Sequence, residues 1–226
     1  MVRNMFRPNS RLKRWYLITE YIILFFGLPT ACMFNFFPIY PIFALWIFSI
    51  VCVLGLIFDP QFKTSHLWDV RHWKDLTTVA IRFILAVALP GGYVVFFEPD
   101  ILFNFPRYRP TTWAMVMILY PLLSVCPQGL THRAFLFHRY RHLFQGGAMI
   151  FASAAAFAYM HVVFKNPLAL LLTFGGGVLF AKTYYDTRSL MISMIEHALY
   201  GNYLFTIGLG KYLYLGAAGY GVSGLP

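Results

Sequence analysis

Apolar residues run along this chain in long blocks with few polar breaks, a pattern that fits membrane crossing better than strand alternation or a one-sided surface helix. Blocks of about 20 residues predict seven helices, over 15–36, 39–58, 77–97, 112–136, 148–164, 167–185 and 189–210. Pro38 and Pro41 mark the first turn. Residues 59–75 form a polar loop, and 98–110 a second one in which Pro99, Pro106 and Pro110 break any helix. The organisation that follows is a basic N-terminus over 1–14, a helical bundle over 15–210, and a Gly-rich tail over 211–226 expected to be poorly ordered. The fold class is all-α, a polytopic membrane helix bundle of about seven transmembrane helices.

Composition supports this. With 59% hydrophobic and 19% aromatic residues and a mean hydropathy of +0.63, the chain is too apolar to clothe a soluble surface. A net charge of +10 raises the possibility of nucleic acid, but the 18 Lys and Arg are scattered among short loops and helix ends, where headgroups and insertion bias account for them. A nucleic-acid partner is set aside. Placing the N-terminus in the cytoplasm puts 13 of the 18 basic residues on that side, which fits the positive-inside tendency. The short loops suggest a bacterial inner membrane. Cys32, Cys52 and Cys126 fall within apolar stretches and are odd in number, so free thiols are expected.

Small residues hint at packing. Ala154-Ala155-Ala156 and Gly175-Gly176-Gly177 would let the fifth and sixth helices approach closely, and Pro90-Gly91-Gly92 would kink the third. No internal repeat is visible. That places a transporter or channel, which would show paired halves and a continuous polar path, last among the functional classes.

Ionisable groups at membrane depth are costly, so those present point to function. His161 and His197 lie deep in separate apolar segments, with Arg133 in a third. Three stretches stand out: Pro127-Gln128-Gly129-Leu130-Thr131-His132-Arg133, Phe157-Ala158-Tyr159-Met160-His161, and His197-Ala198-Leu199-Tyr200-Gly201-Asn202. In this order, over about residues 111–210, they resemble the CAAX protease and bacteriocin-processing family, glutamic-type intramembrane endopeptidases that include the type II CAAX prenyl endopeptidase. The family pattern is an acidic pair followed by three residues and Arg, then Phe with His four residues later, then His with Asn or Asp four residues later. His161 with Phe157 matches the second part, and Arg133 matches the first.

Two departures stand out. The acidic pair falls on Gln128 and Gly129, and in branches where the pair is Gln-Glu the lost base would be Gly129. Asn202 follows His197 by five residues, which turns the two side chains about 140° apart on a regular helix; a π-bulge near Gly201 would restore a common face. The resemblance implies a carboxylate that takes a proton from water, with histidines and an amide stabilising the oxyanion. Gln128 can orient water but cannot take its proton at neutral pH. Glu196, beside His197, is the substitute acid in the last five spans; otherwise it pairs with Arg133, Lys182 or a histidine.

The expected site is therefore His161 and His197 as oxyanion or water-positioning residues, Gln128 or Gly129 at the base position, Arg133 holding the inner helix end, and Asn202 and Glu196 as further candidates. Arg133 could equally be a basic anchor at the membrane surface. No cofactor is expected. Zinc on His161 and His197, with Glu196 or His132 as third ligand, is a minor alternative. His138 and His142 share ligand spacing, but Arg139 and Arg141 mark a solvated basic end, and Glu20 is expected to pair at an interface or with Arg82. The implied activity is endoproteolysis of a membrane-anchored or lipid-proximal peptide. The rival is a catalytically impaired pseudoprotease that binds a peptide or membrane-protein partner in the same cavity.

Overall fold

The computed structural model describes residues 11–37, 39–69 and 73–213; the basic 1–10, Pro38 and most of the tail lie outside the described residues. It is an all-helical bundle without a strand among the described residues. Seven helices carry it: α1 (Arg11–Met33), α2 (Pro41–Ile57), α3 (Trp73–Phe97), α4 (Pro110–Arg139), α5 (Gly146–Met160), α6 (Pro167–Thr187) and α7 (Leu190–Thr206). Five are long and apolar enough to cross a membrane: α1, α3, α4, α6, and α5 with its 3₁₀ extension to Phe164. Helix α2 is apolar but 17 residues long, and α7, also 17 residues, carries Glu196 and His197. The loop expected over 98–110 is partly helical: Pro99–Ile101 forms a 3₁₀ turn and Asn104–Tyr108 a short helix, because Phe103 at φ 59° turns the chain between them.

The connections explain the order of the last helices. Lys165 and Arg188 adopt left-handed backbone and end their helices within two residues of the next start. Asn166 then caps α6, its Oδ1 accepting from Leu168 N–H at 2.8 Å with Pro167 as first residue, and Ser189 caps α7 through Ile192 N–H at 3.3 Å. Helices α5, α6 and α7 thus follow one another as tight hairpins. Gly177 and the alanine run do bring α5 and α6 together: a Cβ at 177 would lie 3.1 Å from the Ala154 Cα and 3.1 Å from the Phe157 ring.

Prolines inside helices leave carbonyls that neighbours use. Pro121 and Pro127 bring no N–H to the carbonyls four residues back, and these accept from Asn202 Nδ2 (Met117 O, 3.2 Å) and Trp46 Nε1 (Leu123 O, 3.0 Å). Near Pro90, Tyr203 donates to Val87 O at 3.0 Å. In hydrocarbon such bonds replace water, so they tie α2, α3 and α7 to their partners.

The main core joins Leu17, Tyr21 and Phe25 of α1 and Cys52 and Leu56 of α2 to Leu136 and Phe137 of α4, Ala152 and Ala156 of α5, and Tyr184 of α6. Ile81, Ile84, Leu85 and Leu89 of α3 are exposed, as a lipid-facing helix requires. Glu20 makes the interhelical pairing expected of it, receiving two bonds at 2.8 and 2.7 Å from Arg139 at the end of α4, the alternative to Arg82. Two other side chains are paired other than expected. His138, assigned to a solvated end, is instead bonded to Asp59 at 2.8 Å and packed edge-on against Phe62. Lys182 pairs with Asp186, four residues on. The first tail residues are placed as well, Lys211 reaching Glu98 at 2.6 Å.

Candidate active site

The site begins with an irregularity in α4. Residues Leu130–Phe135 form a π-helical turn, and within it Thr131, His132, Arg133, Ala134 and Phe135 are all buried. The buried run continues into the α-helical residues on either side, Pro127 to Gly129 and Leu136 and Phe137, so this part of α4 is surrounded by neighbouring helices. His132 Nδ1 lies 3.1 Å from Gln128 O, and Ser153 of α5 donates to His132 O at 2.8 Å, locking the turn against the neighbouring helix.

Phe157 of α5 is the hub. Its ring centroid lies 4.9 Å from that of His161, 5.1 Å from His197 and 5.6 Å from His132, and the Arg133 guanidinium sits 4.4 Å above it. The His161 and His197 rings therefore cannot be more than about 10 Å apart, because both touch one ring 5 Å away. Phe180 of α6 closes the other side, stacked on His197 at 4.5 Å and 5.2 Å from Arg133. All three histidines and Arg133 are buried, and Arg133 is only 1% exposed. The expectation that Arg133 anchors an inner helix end at the surface is corrected: α4 continues to Arg139, so residue 133 lies inside the bundle, and two aromatic faces carry its charge.

The hydrogen bonds orient each ring. His161 Nδ1 lies 2.7 Å from Phe157 O, and His197 Nε2 lies 3.1 Å from the Tyr120 hydroxyl. Several polar atoms nearby have no partner among the described residues: His197 Nδ1, Gln128 Oε1, and Nε and one terminal nitrogen of Arg133. A buried group of unmet donors and acceptors has the chemical character of a binding site for water or an amide.

The remaining candidates stand apart. Gln128 bonds Ser124 through its amide at 2.9 Å, while its backbone carbonyl faces Arg133 at 3.4 Å. Gly129 faces α7: a Cβ there would start 2.9 Å from Met194 Cγ, with Leu190 next. Glu196 is fully buried, with Arg82 of α3 at 3.9 Å, and among the described residues neither of its carboxylate oxygens has a hydrogen bond, so it is not bonded to Arg133, Lys182 or a histidine. Asn202 stays on the Met117 carbonyl, since α7 is regular helix through Gly201 and the only π-turns among the described residues lie in α1 and α4. Among the described residues no three His, Cys, Asp or Glu side chains gather as a metal set.

The model for the type II CAAX prenyl endopeptidase Rce1-like family matches residues 110–202. Over that stretch, less than half of its length, the chain is similar to this family. The match spans α4 to α7, the four helices that build the histidine cluster. No curated protein and no solved structure matches the chain.

Two residues of this cluster are not legible as such from the sequence. From the sequence His132 reads only as a possible zinc ligand, because the burial of α4 on every side at this level leaves no mark in the hydrophobic pattern. Tyr120, one of 15 tyrosines, reads as an ordinary aromatic of a membrane helix. Its signal was Gly201: the side chain missing where the family has Asn or Asp leaves the room that Tyr120 fills.

Proposed function

We propose that this integral membrane protein is an intramembrane endopeptidase that cleaves a membrane-anchored or lipid-proximal peptide with activated water. The observation that supports this reading is the convergence of His161, His197 and Arg133 on Phe157 in the stretch that matches the CAAX endopeptidase family. The histidines handle water and the developing oxyanion, and Arg133 adds a fixed positive charge beside them. The reading needs no cofactor. Its partners are a membrane-bound peptide and the bilayer; the positive-inside count supports an N-terminus in the cytoplasm, and the short loops a bacterial inner membrane.

A second reading is a non-catalytic relative that holds a peptide or membrane-protein partner in the same cavity. It is favoured by the absence of an acid at 128 and 129 and by the engagement of Glu196 with Arg82. Purified full-length protein in proteoliposomes, incubated with membrane-anchored peptides that include C-terminally prenylated ones, separates the two. Cleavage abolished by His161→Ala and by His197→Ala supports the protease. Peptide binding weakened by the same changes, with no cleavage of any peptide, overturns it in favour of the second reading.

A further inference from the structure

The two imidazoles press on one Phe157 ring, yet their hydrogen bonds are of opposite kinds. A backbone carbonyl only accepts, so His161 Nδ1, 2.7 Å from Phe157 O, carries the proton. In the neutral ring Nε2 is then an acceptor, and it makes no hydrogen bond among the described residues. His197 is held through the other nitrogen, with Nε2 3.1 Å from the Tyr120 hydroxyl and Nδ1 buried without a partner among the described residues.

The sense of that second bond follows from counting. Were the phenol to accept from Nε2–H, its own O–H and the bare Nδ1 would both be unmet. When the phenol donates, only Nδ1–H is unmet. Leaving a buried polar group unmet is unfavourable, so the arrangement with one such group wins. Gly201 makes the contact possible: a Cβ there would lie 2.3 Å from the Tyr120 hydroxyl oxygen and ring edge.

We propose that the Phe157 carbonyl and Tyr120 anchor the two imidazoles through opposite nitrogens of the same tautomer, so that His161 presents a proton acceptor at Nε2 and His197 a donor at Nδ1, with Tyr120 as a positioning residue. Resting on the proteolytic reading above, this assigns each ring a step without a carboxylate. Water gives a proton to His161 Nε2 as its oxygen bonds to the amide carbon, and His197 Nδ1–H donates to the oxygen that becomes negative. The C–N bond then breaks, the proton on His161 passes to the departing amine, and the products are a carboxylic acid and an amine.

Nitrogen-15 NMR of histidine-labelled full-length protein in micelles reads the tautomers whether or not the protein cleaves anything. His161→Gln and His197→Gln assign the signals. The expected result is a protonated Nδ1 and bare Nε2 for both rings, with Nε2 of His161 unbonded and Nε2 of His197 shifted by the phenol bond.

 The opposition thus lies in the edge each ring leaves unanchored: the proton sits on Nδ1 in both, and only the anchored nitrogen differs. Tyr120→Phe removes the donor, so the His197 signals are expected to move toward a mixture of the two tautomers while those of His161 stay in place. Gly201→Ala, which displaces the phenol, is expected to do the same and serves as a second route to that result. A His197 proton on Nε2 in the unaltered protein, or His197 signals indifferent to both substitutions, overturns the proposal. In the cleavage assay Tyr120→Phe is expected to lower kcat on the order of 10-fold with little change in KM. If no peptide is cleaved but the signals behave as described, the proteolytic reading falls and the arrangement of the rings stands.

Discussion

Arg82 on α3 lies 3.9 Å from Glu196 on α7, and this pair joins a lipid-facing helix to the helix that carries His197. Glu196 is completely buried and Arg82 about a quarter exposed, so the carboxylate depends on its partner more than the guanidinium does. Removing one member of a buried pair strands the other. Arg82→Ala is therefore expected to lower stability by about 2–3 kcal/mol, with the loss reduced when Glu196→Gln is added. Glu196→Gln alone is expected to change stability by less than about 1 kcal/mol and to leave any cleavage intact. Thermal unfolding of the four proteins in detergent measures the first part. Loss of cleavage in Glu196→Gln would return Glu196 to the role of catalytic acid.

The all-helical class and the order of the helices were legible because membrane crossing demands long apolar runs, five of which are long enough to span, and the contact between α5 and α6 was legible at Ala154 and Gly177 because small residues allow close approach. The meeting of His161 and His197 was suggested by spacing within a family pattern. What spacing could not supply was direction. His132 and Arg133 are buried because neighbouring helices surround α4 at that level, and Asn202 is drawn to a carbonyl left open by Pro121, 81 positions earlier in the chain. Pairings such as Glu20 with Arg139 depend on which helices become neighbours, a property of packing that no local pattern encodes.

The contact at Gly201 can be tested through stability. A methyl group there would lie 2.3 Å from Tyr120, and both residues sit on helices whose backbones are held by their neighbours. Gly201→Ala is expected to cost about 1–3 kcal/mol, the range for overpacking a tight interior. Combining it with Tyr120→Ala is expected to recover part of that loss. Unfolding midpoints for the single and double variants give the answer, and additive losses would show that the two residues do not compete for the same space.

Acid sensitivity should arise outside the membrane, at Asp59. The Gln61 backbone N–H, 2.9 Å away, and then His138, 2.8 Å away, hold its carboxyl below the ordinary value of 3.8. The native value is the lower one, so the unfolded chain takes up the proton first as pH falls. The resulting stability is complete above that ordinary value and disappears as pH drops through the native value. Because Asp59 is over a third exposed, solvent keeps the effect small. Unfolding temperatures measured from pH 6 down to about 3 should fall less steeply for Asp59→Asn than for the unaltered protein. Parallel curves would remove Asp59 from the account.

Restoring an acid distinguishes the two positions of the missing pair. A side chain at 129 would begin 2.9 Å from Met194 Cγ and 3.4 Å from Leu190 Cδ1, so a carboxylate there enters apolar surroundings on the α7 side. Position 128 already accommodates a polar side chain of nearly the same size, bonded to Ser124 and with one oxygen unmet. Gly129→Glu is therefore expected to destabilise by about 2–4 kcal/mol without adding activity, since an unpaired buried charge must be displaced or neutralised. Gln128→Glu is expected to leave folding nearly unchanged and, where a peptide is cleaved, to raise the rate by about 100-fold, the lower end of what a positioned base supplies. Side-by-side unfolding curves and cleavage rates decide it. A well-folded Gly129→Glu protein that outpaces Gln128→Glu would place the base on the α7 side of the bundle and require Met194 to move aside.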